Sequence, residues 1–143
     1  MRIVLILFLV LNSIICWSKG SAAKTIYFEV GCGAAGFTSA EIKTFEKLNE
    51  QKDYKTIREK LFEGSQMEQV LSTILLQYYL SDSLIDLTKD EQTKILQIVR
   101  SKTRFSFCYT CTYSEEGTLR QFFARKKNPA AHNLVRQKLL NTP

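Results

Sequence analysis

Apolar positions recur at helical spacing through the middle of the chain. Ile42, Phe45 and Leu48 form one stripe, and Tyr54, Ile57, Leu61 and Phe62 a second. Met67, Val70, Leu71, Ile74, Leu75, Tyr78 and Tyr79 form a third, and Ile95, Leu96, Ile98 and Val99 a fourth. The third is apolar over much of its circumference, which predicts the most buried helix of the domain. Thr38-Ser39-Ala40-Glu41, Ser65-Gln66-Met67-Glu68 and Thr88-Lys89-Asp90-Glu91 each fit a capping box, in which a hydroxyl accepts from a free helix N–H and the Glu reaches back. Asp53 is placed to open the second helix and Gly64 to end it. The stretch from Leu84 to Leu87 is expected to close the ends of the third and fourth helices.

The period changes at both ends of this helical run. Lys24 to Val30 is rich in β-branched and aromatic residues and predicts a short strand or extended arm. From Thr103 to Tyr113, Phe105, Phe107, Tyr109, Cys111 and Tyr113 alternate with more polar residues, a period of two that predicts a strand able to pair with the first. After Gly117, the residues Leu119, Phe122 and Phe123 predict a helix. Asn128-Pro129 then starts another, with Asn as cap and Pro in the first turn. The apolar face of this last helix is Ala131, Leu134, Val135 and Leu139, and its expected place is on the body of the domain. The fold class is therefore mainly α, with helical hairpins packed around one buried helix and a minor β element.

The start of the chain carries a separate signal. Arg2 is followed by an apolar run from Ile3 to Trp17 and then by small residues through Ala23. A helix that spans a membrane needs about 20 apolar residues, and this run is shorter. The layout is that of a cleaved secretory signal peptide over residues 1–23. The expected mature unit is a single helical domain over 24–143. It divides into an extended arm and Gly-rich connection (24–37), a helical core (38–101), a Cys-containing strand or loop (103–113) and basic C-terminal helices (117–143). Export to the periplasm or beyond the cell is the expectation, and that compartment governs how the cysteines are read.

Charge is unevenly spread. The formal net charge is +6, of which Arg2 and Lys19 would leave with the signal. Carboxylates dominate from Lys24 to Val99. From Arg100 onward only Glu115 and Glu116 oppose a basic set that includes Arg120, Arg125, Lys126, Lys127, Arg136 and Lys138. These six are the candidate partner-binding residues, and the expected partner is another protein or an anionic envelope component. Nucleic acid is not expected outside the cytoplasm.

Two motifs suggest chemistry. Gly31-Cys32-Gly33-Ala34-Ala35-Gly36 matches G-x-G-x-x-G, and with Phe28-Glu29-Val30 before it the stretch resembles the first motif of S-adenosylmethionine-dependent methyltransferases. That resemblance implies a wide parallel sheet of alternating strands and helices, whereas here four helices follow in succession. No cofactor is expected, and the loop is read as a flexible connection that positions Cys32. Cys108-Tyr109-Thr110-Cys111 is a C-x-x-C without a thioredoxin-like βαβ frame around it. Cys32, Cys108, Cys111 and His132 have ligand types that suit zinc, but a single cysteine pair in an oxidising compartment favours a disulfide over a metal. Cys32, Cys108 and Cys111 are the disulfide candidates. Cys108 can bond Cys111 only across a local turn, and Cys32 can bond either of them across a long loop. His132 is the only histidine, and its expected role is that of a helix-surface residue.

Residues 53–80 resemble a HEAT-type repeat unit. Asp53, Ile57, Leu61, Ser65, Val70 and Ile74 stand where that pattern places its Asp, first-helix apolar residues, turn and second-helix apolar residues. The first-helix proline of the pattern is missing. The resemblance implies stacked helical hairpins and protein binding rather than catalysis. No convergent polar constellation stands out in the sequence. The functional expectation is an exported, non-catalytic helical binding protein, analogous at fold level to small inhibitor or immunity-type proteins. The alternative is a thiol–disulfide oxidoreductase that uses Cys108 and Cys111. A third reading, a carrier of an apolar ligand, rests on Tyr78, Tyr79, Phe122 and Phe123.

Overall fold

The computed structural model describes residues 25–110, 113–124 and 129–140. The expected signal segment, Cys111 and the basic residues Arg125, Lys126 and Lys127 lie outside them. The described chain runs β1 (Ile26–Val30), α1 (Ala40–Glu50), α2 (Tyr54–Glu63), α3 (Gln66–Ser81), α4 (Lys89–Val99), β2 (Arg104–Tyr109), β3 (Tyr113–Thr118), α5 (Leu119–Phe123) and α6 (Pro129–Leu140). It is mainly helical, with one small mixed sheet. β1 pairs parallel with β2, from Ile26 opposite Phe105 to Val30 opposite Tyr109. β2 pairs antiparallel with β3, from Arg104 opposite Thr118 to Tyr109 opposite Tyr113. A parallel pair cannot be closed by a tight turn, and here all four helices α1–α4 form the crossover.

Alternation along β1 decides which face is covered. Ile26, Phe28 and Val30 are buried, while Tyr27 and Glu29 are exposed. Phe105 and Phe107 of β2 share the buried face. Phe28 stacks on Phe122 of α5 with ring centroids 5.3 Å apart, and Phe105 meets Phe122 edge-on at 5.2 Å. These contacts anchor α5 under the sheet through both area burial and ring electrostatics. Helix α3 contributes nine buried residues, more than any other element, as its apolar circumference predicts.

Two of the three expected capping boxes form. Ser65 with Glu68 and Thr88 with Glu91 exchange both hydrogen bonds, and Asp53 caps α2 through the backbone N–H of Thr56. The box at Thr38–Glu41 does not form. The N-cap of α1 is Ser39, and its Oγ accepts from the Glu29 N–H of β1 at 3.1 Å instead. Thr38 Oγ1 accepts from Gly31 N–H at 3.2 Å. Both hydroxyls thus satisfy donors on the outer edge of β1, and tertiary demand overrides the local motif. A box the sequence reading did not single out, Thr118 with Gln121, opens α5.

The segment predicted as one strand over 103–113 is two strands. β2 ends at Tyr109, and Thr110 takes a left-handed conformation, φ 58°, which reverses the chain. Tyr113-Ser114-Glu115-Glu116-Gly117-Thr118 then returns as β3. That sequence has weak strand propensity and is held by its pairing with β2. The predicted pairing of the 103–113 region with the first strand does occur. The tail also sits as expected, with Ala131, Val135 and Leu139 fully buried against the body.

Candidate functional site

One face of α3 meets one face of α6 in an open groove. Ile74, Gln77, Tyr78 and Ser81 stand at i, i+3, i+4 and i+7, so they form a single stripe along α3. His132 and Arg136 are four residues apart and form the facing stripe on α6. Together these six line a hollow of about 240 Å³. A second hollow of about 260 Å³ adjoins it and is lined by Gln77, Leu80, Val99, Phe123 and His132. Gln77 and His132 therefore form a wall common to both. Both have mixed polar and apolar linings, with Leu80, Val99 and Phe123 supplying the apolar part of the second.

The groove is held open by contacts on either side of it. Tyr79, next to the stripe but turned inward, donates its hydroxyl to Asn49 Oδ1 at 2.6 Å. Asn49 Nδ2 donates in turn to the Leu139 carbonyl at 3.1 Å. This chain ties α3 to α1 and α1 to α6, and burial pushes the Tyr79 phenol well above its ordinary range. Lys138 pins α6 to α1 again through an ion pair with Glu46 at 2.8 Å. His132 is buried, 4% exposed, and packs edge-on between Phe122 at 5.3 Å and Phe123 at 5.7 Å.

The charged groups of the groove are few. The Arg136 guanidinium lies over the Tyr78 ring, 5.3 Å from its centroid, a cation–π contact. Among the described residues it makes no ion pair. The neighbouring Asp82 carboxylate raises the Tyr78 phenol pKa. Ser81 Oγ donates to the Tyr78 carbonyl at 2.7 Å. The result is a half-buried cation over an aromatic ring at the edge of a groove of mixed lining.

The other residues singled out in the sequence are dispersed. Arg120 is exposed on α5. Arg136 faces the groove, and Lys138 is engaged with Glu46. The described members of the basic set therefore do not converge on one patch. Of the four aromatics considered for an apolar ligand, Tyr79 and Phe122 belong to the core, whereas Tyr78 and Phe123 line the groove. His132 is not a surface residue. Gln77, Leu80 and Ser81 drew no notice in the sequence, although they continue around α3 from its apolar stripe, and Val99 was read only as part of the apolar face of α4.

Cys32 and Cys108 form a disulfide, Cα–Cα 5.8 Å. Of the pairings left open by the sequence, the structure therefore takes a long one. Both sulfurs are consumed, and no group of three His, Cys, Asp or Glu comes together among the described residues. The Gly-rich segment is a closed hairpin rather than a ligand cradle. Cys32 N–H donates to the Phe37 carbonyl at 2.7 Å, Phe37 N–H donates back at 2.8 Å, and Gly36 N–H donates to Gly33 at 3.1 Å. Gly33 and Gly36 both have φ near +66°, with values of 67° and 65°, a conformation that suits glycine alone. The N–H groups of Cys32, Gly36 and Phe37 are thus bonded within the turn.

No family model matches the chain, and neither the curated proteins nor the solved structures include a significant match to it.

Proposed function

We propose that this protein is an exported, non-catalytic binding protein that engages another protein through the α3–α6 groove. The observation that carries the reading is the groove between α3 and α6, where Arg136, over the Tyr78 ring and without an ion-pair partner among the described residues, stands near a hollow to which Leu80, Val99 and Phe123 contribute apolar side chains beside Gln77 and His132. Arg and aromatic residues around a concave apolar centre are the usual energetic anchors of protein interfaces. The helical hairpins grouped around α3, including the HEAT-like α2–α3 pair, serve in this reading as the rigid support for one groove wall. The Cys32–Cys108 disulfide is compatible with an oxidising, exported location. An inhibitor or immunity-type role fits a small, stapled, non-catalytic domain of this kind.

A photo-crosslinking residue in place of Gln77, in the protein expressed in its source cells, tests this directly. The expected result is a discrete protein adduct that disappears when Leu80→Asp is added. The same residue in place of Ser114, on the outer face of the sheet, is expected to give none. No adduct from Gln77, or equal adducts from both faces, contradicts the reading.

A further inference from the structure

We propose that His132 makes the α3–α6 groove sensitive to acid: its neutral imidazole seats the α6 wall of the groove, and its protonation releases that wall and with it the bound partner. This regulation deepens the binding reading and rests on it. His132 is the only histidine of the chain. It is 4% exposed and packs edge-on between Phe122 at 5.3 Å and Phe123 at 5.7 Å. With Gln77 it lines both hollows. The residue type whose charge ordinarily changes between about pH 7 and 5 therefore stands once in this chain, in the wall that the two hollows share.

The surroundings favour the neutral ring. Charging an imidazole away from water is costly unless an anion faces it. On α6 itself the neighbouring charge is Arg136, one turn on and lining the first hollow beside it, and like charge opposes the imidazolium. Across the groove α3 presents Tyr78, an uncharged phenol in this pH range, and the Asp82 carboxylate beside Tyr78 is exposed. Helix α5 presents Phe122 and Phe123, while its Arg120 is exposed. Helix α4 presents Val99, and the charge next to it is the cation Arg100. On α1, Glu46 is taken by Lys138 at 2.8 Å, and Glu41, Lys43, Lys47 and Glu50 are exposed. Glu29 of β1 is on the exposed side of the sheet. A ring held neutral in the seat stabilises the seat fully above about pH 6.5. That contribution is lost as the pH falls, and the ratio of open to seated α6 rises by up to about tenfold per pH unit. Helix α6 is the element that yields. Its other ties are Ala131, Val135 and Leu139 beneath it, the Asn49–Leu139 hydrogen bond and the Lys138–Glu46 pair, whereas α3 is buried at nine positions.

Amide hydrogen exchange of the oxidised protein at about pH 7 and about pH 5.5, corrected for intrinsic rates, tests the switch, with the His132 Cε1–H signal followed by NMR over the same range. His132 is expected to titrate below the ordinary histidine range. Exchange in α6 is expected to rise severalfold, up to about tenfold, while α3 stays protected. His132→Gln and His132→Phe, which do not titrate, should show the same α6 exchange at both pH values. The Gln77 crosslink, formed in cells brought to about pH 5.5, should weaken by a similar factor, and His132→Gln should restore it. Titration of His132 at or above the ordinary range overturns the switch. So does an α6 pH dependence that persists in both variants, or a loss of protection in α3 together with α6. An adduct of equal yield at both pH values overturns partner release. No adduct at either pH refutes the binding reading instead, and the exchange data then decide the switch by themselves.

Discussion

Replacing Cys32 and Cys108 by alanine is expected to lower the stability of the oxidised protein by about 4 kcal/mol in the chain-entropy account of disulfides. The linked residues are 76 apart, and the loop they close contains α1 to α4. Parallel pairing of β1 with β2 requires closure of the same loop. The disulfide thus removes from the unfolded chain the entropy that the β1–β2 ladder must otherwise overcome. The effect should appear in the folding rate as well as in the equilibrium, because non-local pairing is what slows a topology of this kind. Denaturant unfolding of Cys32→Ala/Cys108→Ala against a Cys111→Ala reference measures both while excluding exchange through the third thiol. A loss under about 1 kcal/mol would mean that the unfolded chain already holds these strands together, contrary to that account.

The second large effect is expected at Arg58. Its Nη1 donates to both oxygens of Glu91 at 2.7 and 2.8 Å, and its Nη2 donates to the Asp86 carbonyl at 2.7 Å. The Glu91 side chain is only 6% exposed, and that of Arg58 29%. One guanidinium therefore joins α2, the α3–α4 connection and the first turn of α4. Arg58→Met leaves a buried carboxylate with only the Thr88 N–H, at 2.8 Å, and the helix N-terminus to offset it. The expected loss is about 3 kcal/mol, the lower end for breaking a buried pair from one side. Arg58→Met/Glu91→Gln should recover part of that loss, since the stranded charge is gone. Equal stabilities for the single and double variants in thermal unfolding would show that no stranded charge was involved.

The helices were legible because their signals are local. Apolar spacing and the Asp53, Ser65 and Thr88 caps are written in consecutive residues, and the structure follows them. The Thr38–Glu41 box failed for a reason no local pattern contains. The edge of β1 needed the hydroxyls of Thr38 and Ser39 more than α1 did. β3 was not legible because Ser114, Glu115, Glu116 and Gly117 carry no strand preference of their own. Their conformation depends on β2 and on the reversal at Thr110. The functional groove was only half visible. Tyr78, Phe123 and Arg136 drew attention separately, by residue type. Their convergence with Gln77, Leu80 and Val99 depends on how α6 seats on α1 and α3. That seating is set by the Tyr79–Asn49–Leu139 chain and by the Lys138–Glu46 pair, across separations that periodicity does not reach.

The fate of Cys108 decides between a fixed, stapled scaffold and a thiol enzyme. Non-reducing peptide mapping of the protein, after alkylation of free thiols in the native state, measures it directly. Chymotryptic cleavage after Tyr109 separates Cys108 from Cys111. The account predicts a peptide containing Cys32 linked to one containing Cys108, resistant to mild reductant in the folded protein. A Cys108–Cys111 bond, with Cys32 alkylated, would contradict it and return the C-x-x-C to the centre of the function.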